Sequence, residues 1–196
     1  MGCGWTWPDT DWSRVAAVEI VNGPYASGPL SGLGFWYARL NEGHRLTGIA
    51  GSDNHDPDAP EGKPPIGRPT TVVHANALTT DGIVAGVRAG NVFIDVEGTR
   101  DRLLEVQARD EAGSASMGGT LAGDSDVEIK IHVAGLAGTQ AIVIADGVEM
   151  PMGQDVSSDD AQLTFRLARN KLKRWFAVSV RRGPNPLLIG SPIYLR

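Results

Sequence analysis

Leu46-Thr47-Gly48-Ile49-Ala50-Gly51-Ser52-Asp53-Asn54-His55 opens as a short apolar strand, closes through small residues, and ends on a carboxylate and an imidazole two positions apart. In extended backbone, residues i and i+2 point to the same side, so Asp53 and His55 at a strand end make a pair of metal ligands. A carboxylate oxygen with a neutral imidazole suits zinc, iron or manganese. The same letters also spell a polar turn, because Gly, Ser, Asp and Asn are all turn formers. Two ligands do not complete a site, so the stretch alone leaves both alternatives open.

Working outward, Val15 to Val21 (VAAVEIV) is a nearly continuous apolar run closed by Asn22-Gly23-Pro24, the pattern of a buried parallel strand. Its one charge, Glu19, is either a ligand or base inside a barrel or a strand-end carboxylate capping a loop. Leu33, Trp36, Tyr37 and Leu40 recur at helical spacing and Gly43 stops the helix; His44 follows as a loop histidine. The proline-rich stretch from Asp56 to Pro69 is long enough to serve as a lid or rim. Thr70 to His74 is a strand, a helix opens at Leu78-Thr79-Thr80-Asp81 and ends at Gly90, and Asn91 to Val96 is a strand again. Residues 15 to 96 therefore alternate in the manner of an α/β layered fold. Ahead of them, the segment MGCGWTWPDTDWSR carries three Trp that need a surface to cover.

Beyond Gly98 to Arg102 the pattern changes to short strands with turns between them: Leu103 to Val106, Val127 to Val133, Gln140 to Ala145, Leu163 to Leu167, Trp175 to Val180 and Ser191 to Leu195. Val127, Ile129, Ile131 and Val133 alternate with Glu128, Lys130 and His132, so one face is buried, the other wet, and His132 is a surface residue. Six such strands predict a β-sandwich. With 196 residues and 41% hydrophobic content the chain can bury a real core. A net charge of -5 with both signs scattered gives no basic stripe for nucleic acid. No run of 18 apolar residues and no charged-then-apolar leader is present in the sequence given, so no membrane partner is expected. The single Cys3 forbids an internal disulfide and does not decide the compartment.

The Gly51-Ser52-Asp53-Asn54-His55 segment resembles the last metal-binding motif of the PHP (polymerase and histidinol phosphatase) superfamily, whose members carry Asp-x-His at a late strand end of a distorted (β/α)7 barrel. Further segments are similar to the carbaryl-hydrolase-like (CehA/McbA-like) branch. They are Val18-Glu19-Ile20-Val21-Asn22-Gly23, Phe35-Trp36 before Leu40 and Gly43, Gly67-Arg68-Pro69-Thr70-Thr71-Val72, Val87-Arg88-Ala89-Gly90-Asn91-Val92-Phe93, and the terminal Ser191-Pro192-Ile193-Tyr194. The resemblance implies a partial (β/α)7 PHP-type barrel over residues 1–98 followed by a β-sandwich domain over 99–196. It implies a divalent metal, zinc, manganese or iron, with Asp53 and His55 as ligands and Arg68 on the rim holding an anionic group of a small-molecule substrate.

The family's first-strand His-x-His, its further His and Glu ligands and its His-Pro motif have no counterpart in this sequence, which resembles the family from the loop after His-Pro onward. The expected function is therefore a fragment of a metal-dependent hydrolase, of a phosphoester or a carbamate or amide-type ester, inactive or very weak alone because the other ligands are missing. The alternative from another class is a non-catalytic β-sandwich interaction module with a vestigial half-barrel. A half-barrel exposes strand edges and an apolar inner face, so a homodimer, or cover by a second polypeptide, is also expected.

Overall fold

A computed structural model describes residues 5–56, 58 and 65–196. The first half forms β1 (Ala17–Asn22), α1 (Leu33–Asn41), β2 (Thr47–Gly51), β3 (Thr70–Val73), α2 (Thr80–Arg88) and β4 (Val92–Asp95). Ten strands follow: β5 (Leu103–Arg109), β6 (Ser114–Ser116), β7 (Thr120–Leu121), β8 (Val127–Ala134), β9 (Thr139–Ala145), β10 (Val148–Val156), β11 (Asp160–Leu167), β12 (Trp175–Arg182), β13 (Asn185–Gly190) and β14 (Ile193–Leu195).

Two kinds of apolar pattern sort these strands into layers. In β8, Val127, Ile129, Ile131 and Val133 are buried while Lys130 is exposed and Glu128 and His132 are partly so. That period of two belongs to a sheet with one wet face. It pairs antiparallel with β5 and β11 in the four-stranded sheet β11-β8-β5-β6. In β12, by contrast, six consecutive residues from Trp175 to Val180 are buried. A continuous apolar run needs cover on both faces, and β12 has it at the centre of the larger sheet, ordered β10-β9-β12-β13-β4-β3 with β14 and β7 attached. Phe176, Val178 and Val180 join Ile129, Ile131 and Val106 in the core between the two sheets. Trp175 and Ala177 point the other way, into a second core with Ile20, Trp36, Leu40 and Leu46 from β1, α1 and the approach to β2. The result is three layers, with the eight-stranded sheet in the middle.

The half-barrel expected over residues 1–98 does not form. Among the described residues of that span, only β1 and β2 are parallel neighbours; β3 and β4 are antiparallel, and β4 goes on to pair antiparallel with β13. Among the described residues two α-helices accompany fourteen strands, far from the one-to-one alternation of a (β/α)7 barrel. The helix and strand periodicities name the elements but say nothing of each strand's neighbour. Val92–Asp95 is buried at every position, and the large sheet accommodates it between β3 and β13. The β1, α1 and β2 segment acts as a cover on the rear of that sheet: the Trp36 and Trp175 rings lie 6.4 Å apart and Tyr37 stacks 5.2 Å from Trp175.

Two expectations about segments also change. Of the N-terminal tryptophans, Trp12 packs on Phe35 and His44, whereas Trp5 and Trp7 remain 59% and 68% exposed. The stretch Gly98 to Arg102 at the change of pattern is tied down by a buried carboxylate. Asp95 accepts hydrogen bonds from the Glu97 and Thr99 amides, the Thr99 hydroxyl and Arg102 Nη1.

Candidate functional site

The site residues are placed by the end of β2. Thr71 of β3 accepts a hydrogen bond from the Ala50 amide at 2.8 Å and donates to the Ala50 carbonyl at 2.9 Å, so its hydroxyl stands in for a missing ladder partner. On the opposite side, β1 pairs with β2 up to Asn22↔Gly51, and the Gly23 amide donates to the Gly51 carbonyl. β2 is thus held on both edges to its last residue.

Beyond Gly51 the chain leaves the sheet, and Asp53 adopts φ +49, a left-handed conformation that Asp tolerates better than most residues. The strand alternation used to pair Asp53 with His55 is therefore not the operating geometry. The two side chains meet all the same: His55 Nε2 lies 3.2 Å from Asp53 Oδ1. A series of local bonds shapes this loop. Ser52 Oγ accepts from the Asn54 amide, Asn54 Oδ1 from the Asp56 amide, and Asp56 Oδ1 from the Asp58 amide.

Two ligands on one tetrahedral ion, each at about 2.0–2.1 Å, stand roughly 3.3 Å apart, so the Asp53–His55 separation suits a shared cation as well as a hydrogen bond. The donor set, one carboxylate and one imidazole, fits zinc, manganese or iron. Both side chains are open to solvent, 60% exposed for Asp53 and 87% for His55. Among the described residues no cluster of three or more His, Cys, Asp or Glu side chains forms a ligand set.

Glu19 stands on the same end of the strand pair. Its Oε2 accepts from the Asn22 side-chain amide, and its Oε1 lies over Gly51, where an added Cβ would come within 2.9 Å. Glu19 thus bonds within β1 and packs against the last residue of β2. His44 is elsewhere, packed on Trp12 with Nε2 3.6 Å from Glu42. Arg68 sits in the turn before β3, its Cα near Gly98, and makes no ion pair among the described residues. Residues 57 and 59–64 of the expected rim loop lie outside the described residues.

His132, expected to be an ordinary surface residue, is held between two carboxylates: Nδ1 lies 3.1 Å from Glu105 and Nε2 2.7 Å from Asp160. Those two contacts raise its pKa above the ordinary imidazole value. Glu105 lies directly across from His132 in the β5–β8 register, a pairing that could be read only once the register was known. His132 and Glu105 border a cleft of about 640 Å³ that also takes in His74, Lys130 and Phe93 but neither Asp53 nor His55.

No protein-family model matches the chain, and neither a curated protein nor a solved structure matches it. The resemblance to the PHP superfamily rests on the quoted sequence segments alone.

Proposed function

We propose that Asp53 and His55 are two ligands of a divalent-metal centre in a hydrolase acting on a phosphoester or a carbamate or amide-type ester, and that the remaining ligands come from outside the described residues. The observation that carries this is the convergence of the two side chains to 3.2 Å at the end of β2. When bound, the ion would supply Lewis acidity and an acidified water. The chain's own part is positional. The left-handed turn at Asp53 directs the carboxylate toward the ring, and His55 offers Nε2, which must be unprotonated to bind a cation. A catalytic zinc normally takes three protein ligands and water, so this chain alone is expected to bind metal weakly and to hydrolyse little or nothing. A second copy or another polypeptide would complete the centre.

The alternative, a non-catalytic β-rich module, is favoured by the exposure of the pair, since catalytic metal centres are shaped and shielded from bulk water. Titration of the purified chain with zinc and with manganese by calorimetry separates the two. The metal-centre proposal predicts one weak site per chain, weakened at least tenfold in both D53N and H55A. Affinity unchanged in both variants would support the module instead.

A further inference from the structure

At the opposite end of β2 from Asp53, a cleft of about 360 Å³ gathers three arginines: Arg45, Arg174 and Arg196. Its lining holds no Asp or Glu side chain, although the chain has 23 acids against 18 Lys and Arg. None of the three makes an ion pair among the described residues, as is true of most arginines of the chain, and what sets them apart is that they line one cleft. With three cationic residues and no acidic side chain in its lining, the cleft carries a local excess of positive charge that favours an anion.

The cleft is also built. Arg45 bonds to the Thr120 hydroxyl, and its guanidinium carbon stands 4.2 Å from the centre of the Tyr194 ring. Burial pushes the Tyr194 phenol up to about 12, so the ring beneath Arg45 stays neutral at working pH. Arg174 is displayed from a fixed segment, because the Lys173, Arg174 and Trp175 amides all donate to the Asp146 carboxylate. Its Nη1 lies within 3.9 Å of where a Cβ on Gly43 would stand; Gly43, at φ +95, keeps that wall bare. The Arg196 carbonyl is held by Arg169 Nη2 at 3.0 Å.

We infer that this cleft binds the phosphoryl group of a small phosphomonoester. A phosphomonoester carries about 1.5–2 negative charges at neutral pH and three terminal oxygens, which suits several guanidinium forks better than a single carboxylate does. Leu195, partly buried, offers apolar wall for the organic part. The site stands at the other end of β2 from the candidate metal ligands and does not depend on them.

The test is calorimetric titration of the whole chain with inorganic phosphate, with chloride at matched ionic strength as control, alongside ¹H–¹⁵N shift mapping of the unmodified protein. The expected result is saturable binding that shifts the amides of Gly43, Thr120 and Tyr194, weakened at least tenfold in R45Q and in R174Q. Shift mapping on the wild-type chain keeps the question answerable should a variant misfold. Phosphate binding that leaves these amides unmoved would overturn the assignment. So would phosphate failing to bind while an acidic peptide does, which would make the cleft a protein-docking surface.

Discussion

At the scale of single residues, the geometry around one histidine produces a titration that composition does not show. His132 is raised because both ring nitrogens face carboxylates, Glu105 first and Asp160 second, with partial burial opposing them. A histidine whose folded-state pKa exceeds its unfolded value of about 6.5 contributes stability that is complete below that pH. The contribution is lost as pH rises through the folded-state pKa. Thermal melts of wild type and H132Q should therefore differ most near pH 5.5 and converge as pH rises past the raised folded-state pKa; a constant gap across the titration would show that the ring acts by packing alone. The sequence placed His132 on the wet face, but its partners are 27 and 28 positions away and emerge only with the register. Asp53 and His55 were legible for a different reason. Their meeting is local, within a loop whose own side chains bond its own amides, and only the stated cause, strand alternation, had to give way to a left-handed Asp.

Elements were more legible than their pairing. The 3.6-residue spacing of Leu33, Trp36, Tyr37 and Leu40 gives α1, and Trp36 is the residue through which it docks. Its ring is 1% exposed and its Nε1 donates to the Leu46 carbonyl at 2.8 Å. W36A should lower the urea-measured stability by about 3–5 kcal/mol, the usual result of emptying a buried aromatic site. A loss below about 1 kcal/mol would mean that α1 is not seated on the large sheet. Gly118 is a second test of close approach. At φ +79, a Cβ there would stand 1.8 Å from the Ala89 carbonyl, so the β6–β7 connection touches the end of α2 through backbone alone. G118A is expected to destabilise by at least about 4 kcal/mol, or to fail to fold, as judged by circular dichroism. Four strands escaped the sequence: the short β6 and β7, and β10 and β13. β10 contains Pro151 and Gly153 and breaks register between Glu149 and Gly153, which is tolerable because it lies at a sheet edge. β13 is interrupted by Pro186, where β12 and β13 also shift register.

For the whole molecule, the signal overlooked was the length of the apolar runs. Trp175 to Val180 and Asn91 to Val96 lack the alternation of Val127 to Val133, and that difference marks strands covered on both faces. Read that way, the β1–α1–β2 segment is a cover for the large sheet, and a barrel wall is not required. Arg102 joins the two halves of the sequence: only 9% exposed, it contacts Asp95, itself 2% exposed. R102M should cost about 3 kcal/mol, the lower end for an orphaned buried charge because three other donors still hold Asp95. A loss under about 0.5 kcal/mol would show that this pair is solvated. Strands from both sides of residue 98 share one sheet, so urea unfolding followed by tryptophan fluorescence and by far-ultraviolet circular dichroism should give coincident transitions. Separate midpoints would show that the halves unfold independently.

The proposal that Asp53 and His55 bind a cation at the end of β2 is tested most directly by X-ray absorption at the zinc edge on the concentrated chain with zinc held below one equivalent. A first shell of nitrogen and oxygen only, at about 2.0–2.1 Å, is predicted, with an imidazole scattering pattern that disappears in H55A. Sulfur at about 2.3 Å, or imidazole scattering that survives in H55A, would place the ion elsewhere and contradict the site.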